Sequence, residues 1–76
     1  MPSSNPPLNY SVNLSFVSVD KTHVQVTSTE SDKDGATELQ QTFSTDMLFP
    51  KVQEIANNLL RSKCQQIQRD LAKLEQ

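Results

Sequence analysis

The chain has 76 residues, a formal net charge of −2 and a single cysteine, Cys64. In a domain of this size one core rarely supplies more than about 3–5 kcal/mol of net stability, and a single cysteine excludes an intrachain disulfide. One histidine and one cysteine cannot provide the four side-chain ligands of a structural zinc site. The acidic balance argues against a chain built to neutralise a run of phosphates. Self-association is then the most economical remaining source of stability.

The first seven residues, MPSSNPP, contain three of the four prolines and predict a flexible N-terminal tail over residues 1–7. The same end of the chain has neither the basic region nor the apolar stretch of a signal peptide. No apolar run approaches the roughly 18–20 residues of a membrane span. The sequence therefore predicts a cytoplasmic protein that does not use a membrane as a partner.

Three stretches that alternate between apolar and polar residues predict three strands. The first covers residues 8–16, the second is HVQVTST at 23–29, and the third is ATELQQTFST at 36–45. After the first stretch the apolar parity changes to Val17 and Val19, which predicts either a bulge or a strand end. Because the connections are short, we expect an antiparallel meander with the second strand in the middle.

The segment ESDKDG, residues 30–35, ends on the only glycine in the chain and admits two interpretations. As a turn, it must bring apolar residues of the flanking strands onto one face. A two-residue turn that sets Val26 against Phe43 does so, and so does a four-residue loop that sets Val24 against Phe43. In both cases we expect a positive φ at Gly35.

As a metal site, the same segment places the carboxylates of Glu30, Asp32 and Asp34 at alternate positions before a glycine, as in the first half of a calcium loop. The second half of the pattern is missing. Gln41 stands where a bidentate glutamate is required, and the flanks alternate as strands. These three carboxylates are therefore a weak calcium candidate at an acidic hairpin tip, and no cofactor is expected.

A long helix is predicted from Pro50, since proline suits the first helical position and no glycine or proline follows between Lys51 and Gln76. Apolar residues recur along it at mostly three- and four-residue steps. They are Val52, Ile55, Ala56, Leu59, Leu60, Cys64, Ile67, Leu71 and Leu74. The fold class is therefore α+β, with the order β-β-β-α: a single domain over residues 8–76 in which the helix covers one face of the sheet.

The second half of this helix has a narrower apolar stripe, with steps of four, three, four and three residues from Leu60 to Leu74. That spacing is typical of a seam between two helices. It predicts self-association through Leu60, Ile67, Leu71 and Leu74. The alternative is that the whole stripe packs on its own sheet. Cys64, on the same stripe, is expected to be a buried and inert thiol.

The basic residues of the helix support a rival hypothesis, a nucleic-acid-binding module that uses Arg61, Lys63, Arg69 and Lys73. Helical spacing spreads these positions, and acidic residues interrupt them.

His23 is the only histidine of the chain and lies beside a turn, so no catalytic triad can be assembled around it. We therefore expect no enzymatic activity. The sequence favours a small non-catalytic interaction or adaptor module, most economically a homodimer, with a protein partner that the sequence does not identify.

Overall fold

A computed structural model describes residues 7–74 of the chain. Within them the chain forms three strands, β1 (Ser11–Ser18), β2 (His23–Asp32) and β3 (Gly35–Ser44). A short 3-10 turn, Thr45–Met47, leads into one long helix, α1 (Leu48–Leu74). The predicted β-β-β-α fold is confirmed. The expected tail falls, except for Pro7, outside the described residues, as do the last two residues of the predicted domain.

The sheet has the order β1-β2-β3, and both pairs of strands are antiparallel. The β1–β2 ladder is uninterrupted from the Ser11–Ser31 pair to the Ser18–Val24 pair. The parity change at Val17 is therefore not a bulge. Val17 simply points to the open face of the sheet near the end of the strand, where it is exposed.

The β2–β3 hairpin has one of the two predicted registers, with Val24 opposite Phe43. Pairing continues to Asp32 and Gly35, so that Lys33 and Asp34 alone form the connection. The four-residue loop that was expected with this register was therefore wrong, because Asp32 and Gly35 remain paired. The Asp32 Oδ1 atom accepts the Asp34 N–H at 2.7 Å and the Gly35 N–H at 3.2 Å. Gly35 has φ +146°, which confirms the expected positive φ.

The helix begins at Leu48, two residues before the predicted start at Pro50. The first four N–H groups of a helix have no intrahelical acceptor, so proline is tolerated anywhere in the first turn. The preceding Thr45–Met47 turn already sets the direction of the chain. Pro50 therefore lies inside the first turn of α1.

The helix lies on one face of the sheet and runs back along it, parallel to β2. With 27 residues it is about 40 Å long, and the molecule measures 59 × 17 × 13 Å. Among the described residues Val26, in the middle strand, is the only buried apolar side chain, at 1 % exposure. The core is therefore very small for a chain of this length.

The 27 residues of α1 would be long enough to span a bilayer if they were apolar. No helix in residues 7–74 combines the length and the apolar character needed to cross a bilayer.

Replacing Gly35 with alanine should destabilise the fold by about 1–3 kcal/mol, since a side chain at this φ is strained. An added Cβ would meet no atom within 4 Å, so the cost comes from the backbone alone. Urea denaturation followed by circular dichroism measures the change. Thr37→Ala, at an exposed site in the same strand, is the matched control. Equal free energies of unfolding for the two variants would contradict the assignment of the turn.

Candidate interaction surface

The face of the sheet that meets the helix changes from apolar to polar along its length. In β2 the helix-facing residues are, in order, Val24, Val26, Ser28, Glu30 and Asp32. The polar end of this strand therefore needs polar partners on the helix, because buried polar groups must be hydrogen-bonded.

The helix matches this change with a stripe that we call the sheet-facing stripe. Its members are the buried and half-buried positions of α1, which recur every three or four residues. They are Leu48, Val52, Ile55, Ala56, Leu59, Lys63, Gln66, Ile67 and Asp70. The first half of the stripe is apolar and its second half is mostly polar.

Lys63 is the centre of the polar half, with only 5 % of its surface exposed. Its Nζ atom lies 3.0 Å from Glu30 Oε1 and donates to Gln66 Oε1 at 2.9 Å. The same atom lies 6.0 Å from the centre of the Tyr10 ring, on its face. A lysine is rarely buried unless its charge is paired, and here the pairing joins the helix to the middle strand.

Asp70 is the second buried charge, at 8 % exposure. Its Oδ2 atom accepts the Tyr10 hydroxyl at 2.7 Å, and its Oδ1 atom lies 3.3 Å from Lys33 Nζ. The hydrogen bond from Tyr10, together with the nearby Lys33, holds the pKa of Asp70 below its usual value. That same bond, reinforced by burial and by neighbouring carboxylates, raises the pKa of Tyr10 to about 12.

Asp32 connects the hairpin turn to the helix, because its Oδ2 atom accepts from Gln66 Nε2 at 2.8 Å. This bond and the N–H of Asp34 lower the pKa of Asp32. In the described part of the chain no buried side-chain nitrogen or oxygen lacks a partner. The polar half of the stripe is thus a closed network that fastens the end of α1 to the sheet.

The calcium candidate can be located within this network. Glu30 is paired with Lys63, and Asp32 holds both the turn and Gln66, while Asp34 is exposed. Among residues 7–74 there is no group of three or more histidine, cysteine, aspartate or glutamate side chains arranged to hold a metal ion. The carboxylates of Glu30 and Asp32 therefore have structural partners within the chain.

The predicted self-association residues mostly lie outside the sheet-facing stripe. Leu60, Leu71 and Leu74 are about half exposed, at 54 %, 47 % and 50 %, and Ile67 is half-buried. The alternative that the whole apolar stripe packs on its own sheet is therefore excluded by these three leucines. Cys64 is exposed, so the expectation of a buried thiol was wrong.

These residues form part of a longer surface, which we call the β1-side flank of α1. Its positions follow one another at steps of three or four residues along the whole helix. They are Phe49, Gln53, Ala56, Leu60, Cys64, Ile67, Leu71 and Leu74. Not one of these eight residues is charged, and most are apolar.

The position of Phe49 shows which edge of the sheet this flank adjoins. Phe49 and Val52 line a shallow cavity of about 310 Å³ together with Phe16, which belongs to β1. Phe49 is 74 % exposed and Phe16 is 50 % exposed. At the start of the helix the flank therefore adjoins the edge strand β1.

The opposite side of the helix faces β3 across a groove of about 400 Å³. Its walls are mixed: Leu39, Phe43 and Leu59 are apolar, whereas Lys51 and Glu54 are charged. This side therefore has a different chemical character from the β1-side flank.

The four basic residues of the nucleic-acid hypothesis do not form one surface. Lys63 is buried in the network, whereas Arg61, Arg69 and Lys73 are exposed at different angles around the helix. Nucleic-acid binding stays a prediction, and it depends on the exposed side chains of Arg61, Arg69 and Lys73.

Sequence reasoning missed the buried network, although a signal for it was present. The apolar positions Val52, Ile55 and Leu59 face the sheet. Continuing their spacing of three or four residues leads to Lys63, Gln66 and Asp70, not to Leu60 and Leu71. In the second half of α1, the positions that continue the helical period of Val52, Ile55 and Leu59 contact the sheet although they are polar. The helical period therefore predicts this contact better than the apolar residues do.

Comparison with protein-family models, with curated proteins and with solved structures gave no match to this chain.

The ionisation of Tyr10 reports directly on the docked helix, because it is the only tyrosine and the chain has no tryptophan. We expect the tyrosinate absorbance to rise with a midpoint near pH 12 in the native chain, and closer to the ordinary value of 10 in Asp70→Asn. A raised pKa means that this contact stabilises the fold fully below pH 10. The contribution is lost as the pH rises through about 12.

Circular dichroism recorded at each pH separates this local ionisation from unfolding. A native midpoint at pH 10 with the helix signal intact would contradict the Tyr10–Asp70 bond.

Lys63→Met should lower the free energy of unfolding by about 1–3 kcal/mol, because it leaves Glu30 and Gln66 without their shared donor. Lys73→Met makes the same change on the same helix at an exposed site and should have an effect within about 0.5 kcal/mol. Equilibrium denaturation of both variants measures the difference. Two equal effects would show that the buried pair adds no stability.

Proposed function

We propose that this protein is a small non-catalytic interaction module that forms a homodimer through the β1-side flank of α1. The proposal includes a cytoplasmic location, which the single exposed thiol of Cys64 favours, since free thiols persist in reducing compartments. It also includes a protein partner, because a module without catalysis acts through what it binds.

The observation that carries the proposal is the contrast between the buried and the exposed apolar residues. In the described part of the chain, Val26 is the only buried apolar side chain, yet nine large apolar side chains are substantially exposed. Five of them lie along the flank or beside it on the neighbouring strand: Phe16, Phe49, Leu60, Leu71 and Leu74. Exposed apolar side chains gathered on one side of a molecule are typical of an interaction site.

The accessible area supports the same conclusion. The chain exposes 5830 Å², whereas a folded monomer of 8.5 kDa is expected to expose about 4,700 Å². The elongated shape of the molecule accounts for part of this excess. The whole excess, about 1,100 Å², is of the order that one partner buries in a standard protein interface, about 800 Å².

A second copy of the chain is the partner that fits this surface best. The flank is uncharged, so it has no electrostatic means of selecting a charged ligand. Its spacing of three and four residues is the spacing with which helices pack on one another. Covering it also supplies the apolar burial that the small core of the monomer lacks.

The absence of catalysis is supported by the setting of the only histidine. His23 is exposed, and its Nδ1 atom lies 3.1 Å from Asp20 Oδ1 and 2.9 Å from Thr22 Oγ1. Asp20 also accepts the Thr22 N–H at 2.8 Å, and this bond is the largest cause that lowers its pKa. The three residues bond to one another and close the β1–β2 turn, so the contacts of His23 are accounted for by the turn itself.

Leu60→Asp and Leu71→Asp should each convert the dimer to a monomer, because a carboxylate would be buried in the middle of an apolar contact. Both side chains are about half exposed in the single chain, so the fold itself should persist. Size-exclusion chromatography with light scattering measures the mass, and circular dichroism checks the fold.

Leu39→Asp is the matched control, since this leucine is equally exposed but lies on the β3 side. It should leave the dimer unchanged. Loss of the dimer in Leu39→Asp, together with its retention in both flank variants, would place the interface on the β3 side and refute the proposal.

A further inference from the structure

We propose that the two copies also join edge to edge through β1, antiparallel and centred on Asn13, so that the dimer has one continuous six-stranded sheet. This inference rests on the proposed homodimer and specifies how it is built. The two α1 helices then lie side by side on one face, antiparallel, and meet at Leu60.

The edge at β1 lacks the features that normally keep a sheet from growing. Its sequence, SVNLSFVS, contains no charged residue and no proline. Natural edge strands are usually protected by lysine, proline, bulges or a covering segment. The other edge, β3, carries the charge of Glu38. The unprotected edge is also the one that adjoins the apolar flank.

The hydrogen-bonding pattern shows which groups of β1 are free to pair. The Val19 N–H donates to the His23 carbonyl at 3.0 Å, just beyond the end of β1. Antiparallel ladders alternate, so the odd-numbered residues of β1 bond to β2. The N–H and C=O groups of Val12, Leu14 and Phe16 therefore point away from β2, towards an added strand.

The parity of the strand restricts the register of two identical copies. Val12, Leu14 and Phe16 share the helix-facing side of the sheet. A two-fold axis through a residue keeps them on that side in both copies, whereas an axis between two residues places them on opposite sides. Centring on Asn13 sets Val12 against the partner's Leu14 and Phe16 against the partner's Tyr10.

The contacts between strand and helix locate the same axis on α1. Tyr10 bonds to Asp70, and Phe16 lines a cavity with Phe49. Asn13 is midway between Tyr10 and Phe16, and the midpoint between Phe49 and Asp70 falls between Leu59 and Leu60. Of these two leucines only Leu60 belongs to the β1-side flank, so an axis through Asn13 passes beside Leu60.

The β1-side flank is symmetric in residue size about Leu60, as a two-fold contact requires. Pairing each position with its equivalent across Leu60 places large residues at the ends and small ones beside the centre. The pairs are Phe49 with the partner's Leu71, Gln53 with the partner's Ile67, Ala56 with the partner's Cys64, and Leu60 with the partner's Leu60. Only one of these pairs contains a polar residue.

The dimensions of the proposed dimer are compatible with this contact. The two middle strands would be three strand spacings apart, about 14 Å. A helix with its side chains is about 10–12 Å across. Two helices therefore fit side by side above the sheet. Packed helices lie about 8–10 Å apart, so contact at Leu60 requires each helix to lie about 2–3 Å nearer to β1 than the axis of its middle strand.

Cysteine cross-linking tests the register directly. Asn13 lies on the open face and would face the partner's Asn13 in a non-hydrogen-bonded pair, where the Cα atoms are about 4.5 Å apart. That distance allows a disulfide. In a Cys64→Ser background, Asn13→Cys should form a covalent dimer under mild oxidation. Thr42→Cys, on the same face but in β3, is the matched control.

Cross-linking of Asn13→Cys should be at least about tenfold faster than that of Thr42→Cys, because paired thiols have a millimolar effective concentration. Amide exchange gives a second measurement without a new thiol. The N–H groups of Val12, Leu14 and Phe16 should be protected in the unmodified dimer, and exposed in Leu60→Asp.

The outcomes separate this inference from the proposed function. If the unmodified chain is a dimer but Asn13→Cys reacts no faster than the control and the three amides exchange freely, pairing through β1 is wrong and the helix dimer stands. If the chain is a monomer at high micromolar concentration, both proposals are wrong. Rapid cross-linking together with protected amides supports the six-stranded sheet.

Discussion

The structure depends on a match in polarity between the middle strand and the only helix that covers it. Along β2 the covered face changes from Val24 and Val26 to Glu30 and Asp32. The helix must therefore present Lys63 and Asp70 at its far end, and their bonds to Glu30 and Tyr10 fix its rotation. Because the helix is continuous, placing Lys63 and Asp70 against the sheet turns Leu60 and Leu71 away from it.

This constraint explains why the molecule has little core and a large apolar surface. A straight helix about 10–12 Å wide covers roughly two strands of a sheet. It seals Val26 in the middle strand and leaves Phe16 half exposed at the edge. The β1-side flank of the helix adjoins that edge, and we propose that a second copy covers both. The interaction surface thus follows from the way the monomer satisfies its buried charges.

The sequence was sufficient to predict the order of the elements and the antiparallel sheet, and to limit the hairpin to two registers, since each depends on local patterns. The alternation of residues in β2 and β3 and the lone Gly35 allowed two registers, and the structure has one of them. The predicted start of the helix was wrong by two residues, because Pro50 is tolerated throughout the first turn.

The side of α1 that contacts the sheet in the second half of the helix was not predicted. Hydrophobic periodicity identifies a stripe of leucines, but it does not say whether a lysine and an aspartate will be buried instead. That depends on Glu30 and Tyr10, which are distant in the sequence.

We propose that the exposed flank is covered by a second copy of the same chain. Sedimentation equilibrium of the unmodified protein from low to high micromolar concentration measures this association. If a second copy covers the flank, the average mass rises to twice the 8.5 kDa of the single chain. A mass that stays at 8.5 kDa over the whole range, with the helix signal intact, would contradict it.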